Sequence, residues 1–538
     1  GTGDGEGGNG HGNGDGNGNG APRPDHHHHR SPVPDAVLVF ADRLVAVDHE
    51  RGDVYALALH DDDGDDDGGE AKAAALRWVR GALAAAAAPP SPPTPAPTSS
   101  SSSSAASPPP SPPPSFVLRH GRDEYVRNVA ACLDALRQGE SYELCLTTAL
   151  EARRARTRAR KGAAGAPSAS GASSAPAPVV DPWLFYRVLR AINPAPYSAW
   201  LRFLPSSSRS GSSGSKGSGG ARPLAVACSS PERFLRGDRG GVLEARPIKG
   251  TARRVPNDPK ADAEAARALA SSEKERSENL MIVDLLRNDL SGVCSAGSVH
   301  VPGLIELESY ATVHQLVSTV RGLLRSSEEE EEELQDGGGG KKRTTATKTP
   351  AADSVAAVRA AFPGGSMTGA PKLRSCDILS RLEGSARGVY SGVIGYFSVA
   401  PGAPFDLNIV IRTACFYEQE VAVQGGGGGG GGGSANGAAD GAAATATEAV
   451  MSIGAGGAIV IQSDPGAEYA EMRLKASALV RAAAATWLLQ QRGGGAAAAV
   501  ATAAATAPSQ PLRLPPAAEV DALAATLVQG GKCEEEDA

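Results

Sequence analysis

Long runs built from one or two residue types cut this chain into pieces, and they decide what it can fold into. They fall at 1–35, 61–69, 89–115, 153–178, 205–220, 328–348, 425–446 and across most of 493–538, and consist of Gly/Asn, Asp, Pro/Ser, poly-Glu, poly-Gly and poly-Ala. Such runs lack the large apolar side chains that offset the entropy lost on ordering. The 66 glycines and 39 prolines among 538 residues belong mostly to these runs and not to the fold between them. With 41 % hydrophobic residues and a net charge of -7, the chain as a whole is not of the disordered class. What remains is roughly 300 residues of ordinary complexity, enough for one large core or two lobes. The expected organisation is a tail at 1–35, a partial N-terminal lobe at 36–115, a main domain at 116–489 carrying inserts, and a low-complexity tail at 490–538.

Charge and cysteine usage exclude several classes. The 53 basic and 60 acidic residues leave no basic stripe of the kind nucleic acid requires. The one dense basic run, 153–161, leads into an Ala/Ser/Pro stretch and reads as insert. The seven cysteines are scattered with no CxxC pair, which argues against a disulfide framework or a cysteine zinc site. No run of apolar residues is long enough to span a bilayer, so neither nucleic acid nor membrane is an expected partner. The His run at 26–29 and the acidic run at 61–67 read as solvated segments.

Between the inserts both hydrophobic periods occur. Segments 36–47, 54–59, 224–227, 241–245, 392–399 and 406–416 read as strands, and 125–138, 262–288, 371–382 and 465–488 as helices. Their arrangement in blocks favours an α+β fold with antiparallel sheets.

Several polar residues sit where an apolar pattern leads one to expect none. Glu278 shares the apolar stripe of Met281, Ile282, Leu285 and Leu286, so its carboxylate needs a cation, a proton or a metal. After Asp464 and Pro465, an N-cap and first-turn pair, Glu468, Glu471 and Lys475 share one helical face. They form either a surface Glu471–Lys475 pair or, with a third carboxylate, a hard oxygen site suited to Mg²⁺. The segment 362–372 (FPGGSMTGAPK) can hold an anion on its amides and on the Ser366 and Thr368 hydroxyls, or be a plain tight turn. Segment 453–460 (IGAGGAIV) reads as a turn whose N–H groups can form a carboxylate nest. Arg412, a charge in an apolar strand, implies a buried anion. Lys249, ahead of a Gly turn, is either a nucleophile or a salt-bridged lysine.

In chain order, SYELCLTT (141–148), SPERF (230–234), RPIKGT (246–251), ENLMIVDLLRNDL (278–290), SYATVHQLVSTV (309–320), FPGGSMTGAPK (362–372), GVIGYF (392–397), DLNIVIRTA (406–414), GAGGAIV (454–460) and SDPGAEYAEM (463–472) resemble the chorismate-utilising enzyme family. Residues 37–59 resemble the N-terminal lobe of its plant and algal members. The resemblance implies two antiparallel sheets packed as a sandwich with helices outside. Family members that aminate chorismate at C4 carry Lys in PI-x-GT, as here at 249; anthranilate- and isochorismate-forming members usually carry Ala. It implies Lys249 as the nucleophile at C2, Glu232 as the acid for the C4 hydroxyl, and His314 beside that hydroxyl. Mg²⁺ would be held by Glu278, Glu468 and Glu471. Arg412 and Tyr396 would grip the enolpyruvyl carboxylate, and Gly456, Gly457 and Lys475 would lie at the ring carboxylate with Ser366 and Thr368 nearby. The implied partners are chorismate and ammonia from a glutamine amidotransferase domain or subunit, whose triad is not visible in this chain. The chain is expected to be a piece of a longer product working in the plastid. An anthranilate-forming component and a non-catalytic fragment are the alternatives, and 193–200 (NPAPYSAW) resembles the tryptophan-binding segment of some relatives.

Overall fold

The computed structural model describes residues 29, 31–60, 68–88, 112–155, 178–204, 223–310, 313–325, 350–422, 445–492 and 512–529. The elements run β1 (Arg43–Asp48), β2 (Asp53–Ala58), α1 (Gly68–Ala87), β3 (Phe116–Leu118), α2 (Arg122–Arg137), β4 (Glu143–Ala155), α3 (Pro182–Ile192), β5 (Tyr197–Phe203), β6 (Leu224–Ser230), β7 (Arg233–Gly237), β8 (Val242–Arg246) and β9 (Ile248–Arg253). They continue with α4 (Pro259–Ser271), α5 (Glu273–Ser291), β10 (His300–Ser309), β11 (Val313–Leu323), α6 (Pro350–Ala361), β12 (Gly369–Ala370), α7 (Lys372–Glu383), β13 (Val393–Phe397), β14 (Phe405–Ile409), β15 (Thr413–Ala422), β16 (Thr445–Ile459), α8 (Pro465–Arg492), α9 (Ala517–Thr526) and β17 (Val528–Gln529).

This is an α+β fold with two large sheets. One sheet orders its strands β10-β11-β8-β7-β14-β13, with β9 also on β11. The other orders them β17-β3-β4-β16-β15-β6-β5, with β12 also on β4. All pairings are antiparallel except the short β17–β3 contact. Its central ladder, β4 on β16, pairs Ala155 with Glu448 at one end and Leu144 with Ile459 at the other. Two main apolar clusters follow from this division. Leu146, Leu150, Met451 and Ile453 of the second sheet pack with Tyr125 and Val129 of α2, Phe185 of α3 and Met472 and Leu479 of α8. Leu235, Leu243 and Leu407 of the first sheet pack with Ile282, Leu286 and Leu290 of α5, and Cys145 of the second sheet reaches into this cluster.

The periodicity reading is corrected at four places. The helix expected over 262–288 is two helices, because Ser272 turns to φ -66°, ψ 113° and caps α5 through Glu275 N–H. The strand expected over 406–416 breaks between β14 and β15, where the chain crosses from one sheet to the other. The basic run is not wholly insert: β4 extends through Ala155, and Arg153 pairs with Glu151 and Glu448. The C-terminal tail is not uniformly low in complexity. Val520 and Leu527 recur at helical spacing and are buried, so α9 and β17 close the edge of the second sheet. The inserts around 157–177, 205–220, 328–348 and 425–444 lie outside the described residues, as do His26 to His28 and Asp61 to Asp67.

Candidate active site

Lys249 lies near the start of β9 and is followed by Gly250 at φ +84°. That left-handed residue creates a bulge: Thr251 pairs with Gln315, Lys249 with Leu316. A Cβ at Gly250 would also meet Glu275 Oε2 at 2.9 Å and Leu269 Cδ1 at 3.0 Å. Only 9 % exposed, the Lys249 ammonium donates to Glu143 Oε1 at 2.5 Å and lies 3.7 Å from Glu278 Oε2. Burial disfavours its charge, but Glu143 and then Glu278 outweigh burial and hold it above the ordinary lysine range. In this state the lysine is salt-bridged.

Glu143 was not among the residues singled out from sequence. It is 0 % exposed, and its Oε2 is buried without a hydrogen-bond partner. The signal was present, since a carboxylate adjoining Leu144, Cys145 and Leu146 in a strand buried on both faces demands a charge partner.

Glu278 on α5 is buried, and that burial pushes its carboxyl up to about 7 against the pull of Lys249. Glu468, in the first turn of α8, is buried too; its Oε1 accepts from Ser463 Oγ at 2.6 Å and Lys274 Nζ at 3.0 Å. The second oxygen, Oε2, has no partner. Lys274 also lies 4.0 Å from Glu278 and so bridges the two carboxylates. Glu471, one turn on, makes the i,i+4 pair with Lys475 at 2.7 Å and is more exposed. Burial would raise Glu471, but Lys475 and Lys274 hold it below the usual range.

Among the described residues no three carboxylate, His or Cys groups converge as a closed metal cluster. Even so, the donor set fits a hard divalent cation, since Glu468 offers a buried, unpartnered oxygen and Lys274 supplies the positive charge between Glu278 and Glu468. Gly457 completes the space, because a Cβ there would stand 3.2 Å from Glu468 Oε2 and 3.5 Å from Lys475 Nζ.

The glycine segment itself is not a turn. Gly456 and Gly457 lie inside β16, paired with Thr147 and Leu146 of β4, while the pairing of β16 with β15 ends at Ile453. Gly456 is there because a side chain would strike Leu146 O at 2.2 Å. The anion reading of 362–372 is narrowed as well. The amides of Met367 and Thr368 donate to Gly364 O and Gly365 O within a single 3₁₀ turn, and the Thr368 hydroxyl donates to Gly364 O at 3.1 Å. Ser366 keeps a buried Oγ that makes no well-formed hydrogen bond. It stands beside Glu232, whose buried carboxyl is pushed up to about 7 by burial, with Ser366, Lys249 and the Ile248 amide tempering the rise. A cavity of about 380 Å³ opens against this turn, lined by Met367, Thr368, Glu383, Arg387 and Tyr390.

Arg412 sits at the crossing between the sheets, at φ +50°, with its carbonyl accepting from Ser229 N–H. No carboxylate pairs with it among the described residues; burial lowers its pKa, while Tyr390 and then Glu471 oppose that shift. The tyrosine at Arg412 is therefore Tyr390 and not Tyr396. Tyr396 is 63 % exposed on β13, an edge strand, whereas the ring of Tyr390 occupies space left by Gly454, where a Cβ would come within 2.2 Å of it. His314, on β11, is buried and takes its partners from two other segments. Its Nδ1 is 2.7 Å from Ser309 Oγ and its Nε2 3.2 Å from Asp262 Oδ1, and none of its hydrogen bonds goes to Lys249 or Glu232. The Arg254 guanidinium and the Val255 amide hold Asp262 at about 2, so it is ionised and Nε2 carries the imidazole proton.

The family model for chorismate binding enzymes matches residues 18–332 and 342–428. The chain belongs to the chorismate-binding enzyme family. Among curated relatives, it is 42 % identical over 455 residues to a protein of Oryza sativa subsp. japonica named probable aminodeoxychorismate synthase, chloroplastic, covering 84 % of this chain and 40 % of that one. It is 39 % identical over 452 residues to the aminodeoxychorismate synthase of Streptomyces griseus, covering 84 % and 47 %. The chain thus spans less than half the length of these relatives. The crystal structure of anthranilate synthase component I from Streptococcus pneumoniae TIGR4 superposes with a TM-score of 0.51 at 22 % identity, over 81 % of this chain and 72 % of that one, which establishes a shared fold.

Proposed function

We propose that this chain aminates chorismate at C4, giving 4-amino-4-deoxychorismate for 4-aminobenzoate and folate synthesis, with ammonia delivered from glutamine by an amidotransferase unit. The observation that carries this reading is Lys249, a buried amine held by Glu143 and Glu278 and acting on a third carboxyl, Glu232, that is half-protonated near neutral pH. The names of the relatives support the same chemistry, and the chloroplastic rice and Arabidopsis thaliana proteins support a plastid location.

In this reading Lys249 gives up a proton to a neighbouring carboxylate, and its amine forms a bond to C2 of the ring. Both ring double bonds shift by one position, the C4–O bond breaks, and Glu232 protonates the departing hydroxyl so that water leaves. Ammonia then bonds to C4, both double bonds shift back, the C2–N bond breaks, and Lys249 returns as the free amine. Two allylic displacements replace one difficult substitution. Arg412, which forms no ion pair among the described residues, would receive a substrate carboxylate with Tyr390 beside it. Glu278, Glu468 and Glu471 would hold Mg²⁺, which supplies charge stabilisation at a carboxylate when bound.

Chorismate, Mg²⁺ and ammonium incubated with the protein, followed by the lyase that releases 4-aminobenzoate, should yield 4-aminobenzoate. Anthranilate formed without the lyase would show the anthranilate-forming reaction instead. No binding of chorismate by calorimetry would assign a non-catalytic fragment.

A further inference from the structure

Arg387 lines the cavity beside the 362–372 turn, but it is neither nucleophile, acid nor substrate grip in the mechanism. The end of α7 brings it there. Glu383 is the last residue of that helix, Gly384 turns the chain through φ +59°, and Arg387 folds back onto Glu383. A guanidinium has five N–H donors, and here all five are in use. Nε and one Nη2 proton fork onto the two Glu383 oxygens at 2.8 and 2.6 Å. The other Nη2 proton goes to Cys145 O on β4 at 2.9 Å. The Nη1 protons go to Met367 O at 2.6 Å and Ser391 Oγ at 3.2 Å. Glu383 is itself buried, and its Oε1 also accepts from the Thr147 amide at 2.8 Å and the Thr147 hydroxyl at 3.0 Å. A cation with every donor taken and a carboxylate against it has nothing left to offer a substrate anion.

What the pair holds together gives its role. Cys145 and Thr147 belong to β4, the strand that begins at Glu143, the partner of Lys249. Met367 lies between Ser366, which stands beside Glu232, and Thr368, whose carbonyl accepts from the Cys145 amide at 2.9 Å. Ser391 follows Tyr390, the ring beside Arg412. We propose that Glu383 and Arg387 are positioning residues, a buried clamp that sets the Ser366 turn and the Tyr390 segment against the strand whose carboxylate holds Lys249. The clamp touches no reacting atom. It acts on Glu232 through Ser366, and an acid displaced by a fraction of an ångström loses rate more than affinity. This assignment rests on the amination reading, in which Glu232 is the acid.

The test measures kcat and KM for chorismate at saturating ammonium and Mg²⁺, reading 4-aminobenzoate through the coupled lyase. Arg387→Lys keeps a charge beside Glu383 but gathers its donors on one nitrogen and loses the fork. Its kcat should fall about tenfold or more while its KM for chorismate moves less than about threefold. Ser366→Ala should lower kcat several-fold by itself, but adding it to Arg387→Lys should cost less than about twofold more. Ser391→Ala removes one acceptor from the fork and leaves the ion pair intact, so it carries the test if Arg387→Lys does not fold. It should lower kcat about threefold, with the same loss of additivity against Ser366→Ala. A raised chorismate KM at constant kcat would make Arg387 a binding group and overturns the proposal. So does an unchanged kcat. Losses that multiply in the double variant overturn it as well, because a tie that only supports the fold does not act through Ser366. A wild-type protein that makes no 4-amino product brings down the amination reading, and this proposal with it; active wild type with unresponsive or additive variants brings down the proposal alone.

Discussion

Lys249 and Arg412 are two cations drawn into the same molecule, and they are treated in opposite ways. Lys249 arrives from β9 into two waiting carboxylates, Glu143 and Glu278. Arg412 sits at the crossing between sheets, where Tyr390 and then Glu471 act on its charge and no carboxylate among the described residues forms an ion pair with it. In the proposed reading, the cation neutralised by the protein is the one kept for chemistry, because its charge is already compensated when substrate arrives. The other is the binding group, because the cost of withdrawing it from water is offset when an external anion comes.

The largest expected effect comes from breaking the compensated side. Lys249→Met leaves Glu143 buried without its cation, which should cost about 3–5 kcal/mol in stability by chemical denaturation. The same variant should lose 4-amino product by about a thousandfold or more, and retained amination would remove the nucleophile role. On the uncompensated side, Arg412→Leu should leave stability unchanged or slightly raised while the KM for chorismate rises about ten- to a hundredfold. A marked fall in melting temperature would mean that Arg412 has a structural partner after all.

Glu232 sharpens the contrast through pH. Its folded pKa of about 7 lies above the unfolded carboxylate value, so the folded state binds more protons between those limits. Stability from this group is fully present below the unfolded value and is lost as pH rises through 7. Glu232→Gln should remove that loss, up to about 3 kcal/mol, flattening the fall in melting temperature between acid and neutral pH. An identical pH profile in variant and wild type would contradict the shift. The smallest effect separates the two tyrosines. Tyr396→Phe should leave the chorismate KM within about twofold, whereas Tyr390→Phe should raise it several-fold. The reverse result would return the substrate contact to Tyr396.

Much of this site was legible because its residues violate their local pattern. Glu278 within an apolar stripe and Lys249 before a glycine stood out as charges in need of partners, and Glu471 shares a helical face with its partner Lys475. What escaped was partner identity and backbone course. Glu143 was hidden inside a strand motif. The glycines at 454, 456 and 457 look like a turn in sequence, but each makes room within or beside β16 for a group distant in sequence: the Tyr390 ring, the β4 backbone, and Glu468 with Lys475. His314 was named through the family resemblance alone, and its bonds to Ser309 and Asp262 were not legible.

By itself, the sequence determined which stretches have the apolar content to fold, that strands and helices come in blocks, and which residues carry charge into the core. Those properties depend on composition and on neighbours a few positions away. Only the tertiary structure decided that α4 and α5 are separate helices, that the chain changes sheets at Arg412, and that α9 and β17 belong to the core. It also decided that Glu143, 106 residues away in sequence, is the group that meets Lys249. The physical reason is that burial and pairing are properties of distant segments brought together, and a charge acquires its role from whichever group the fold places opposite it.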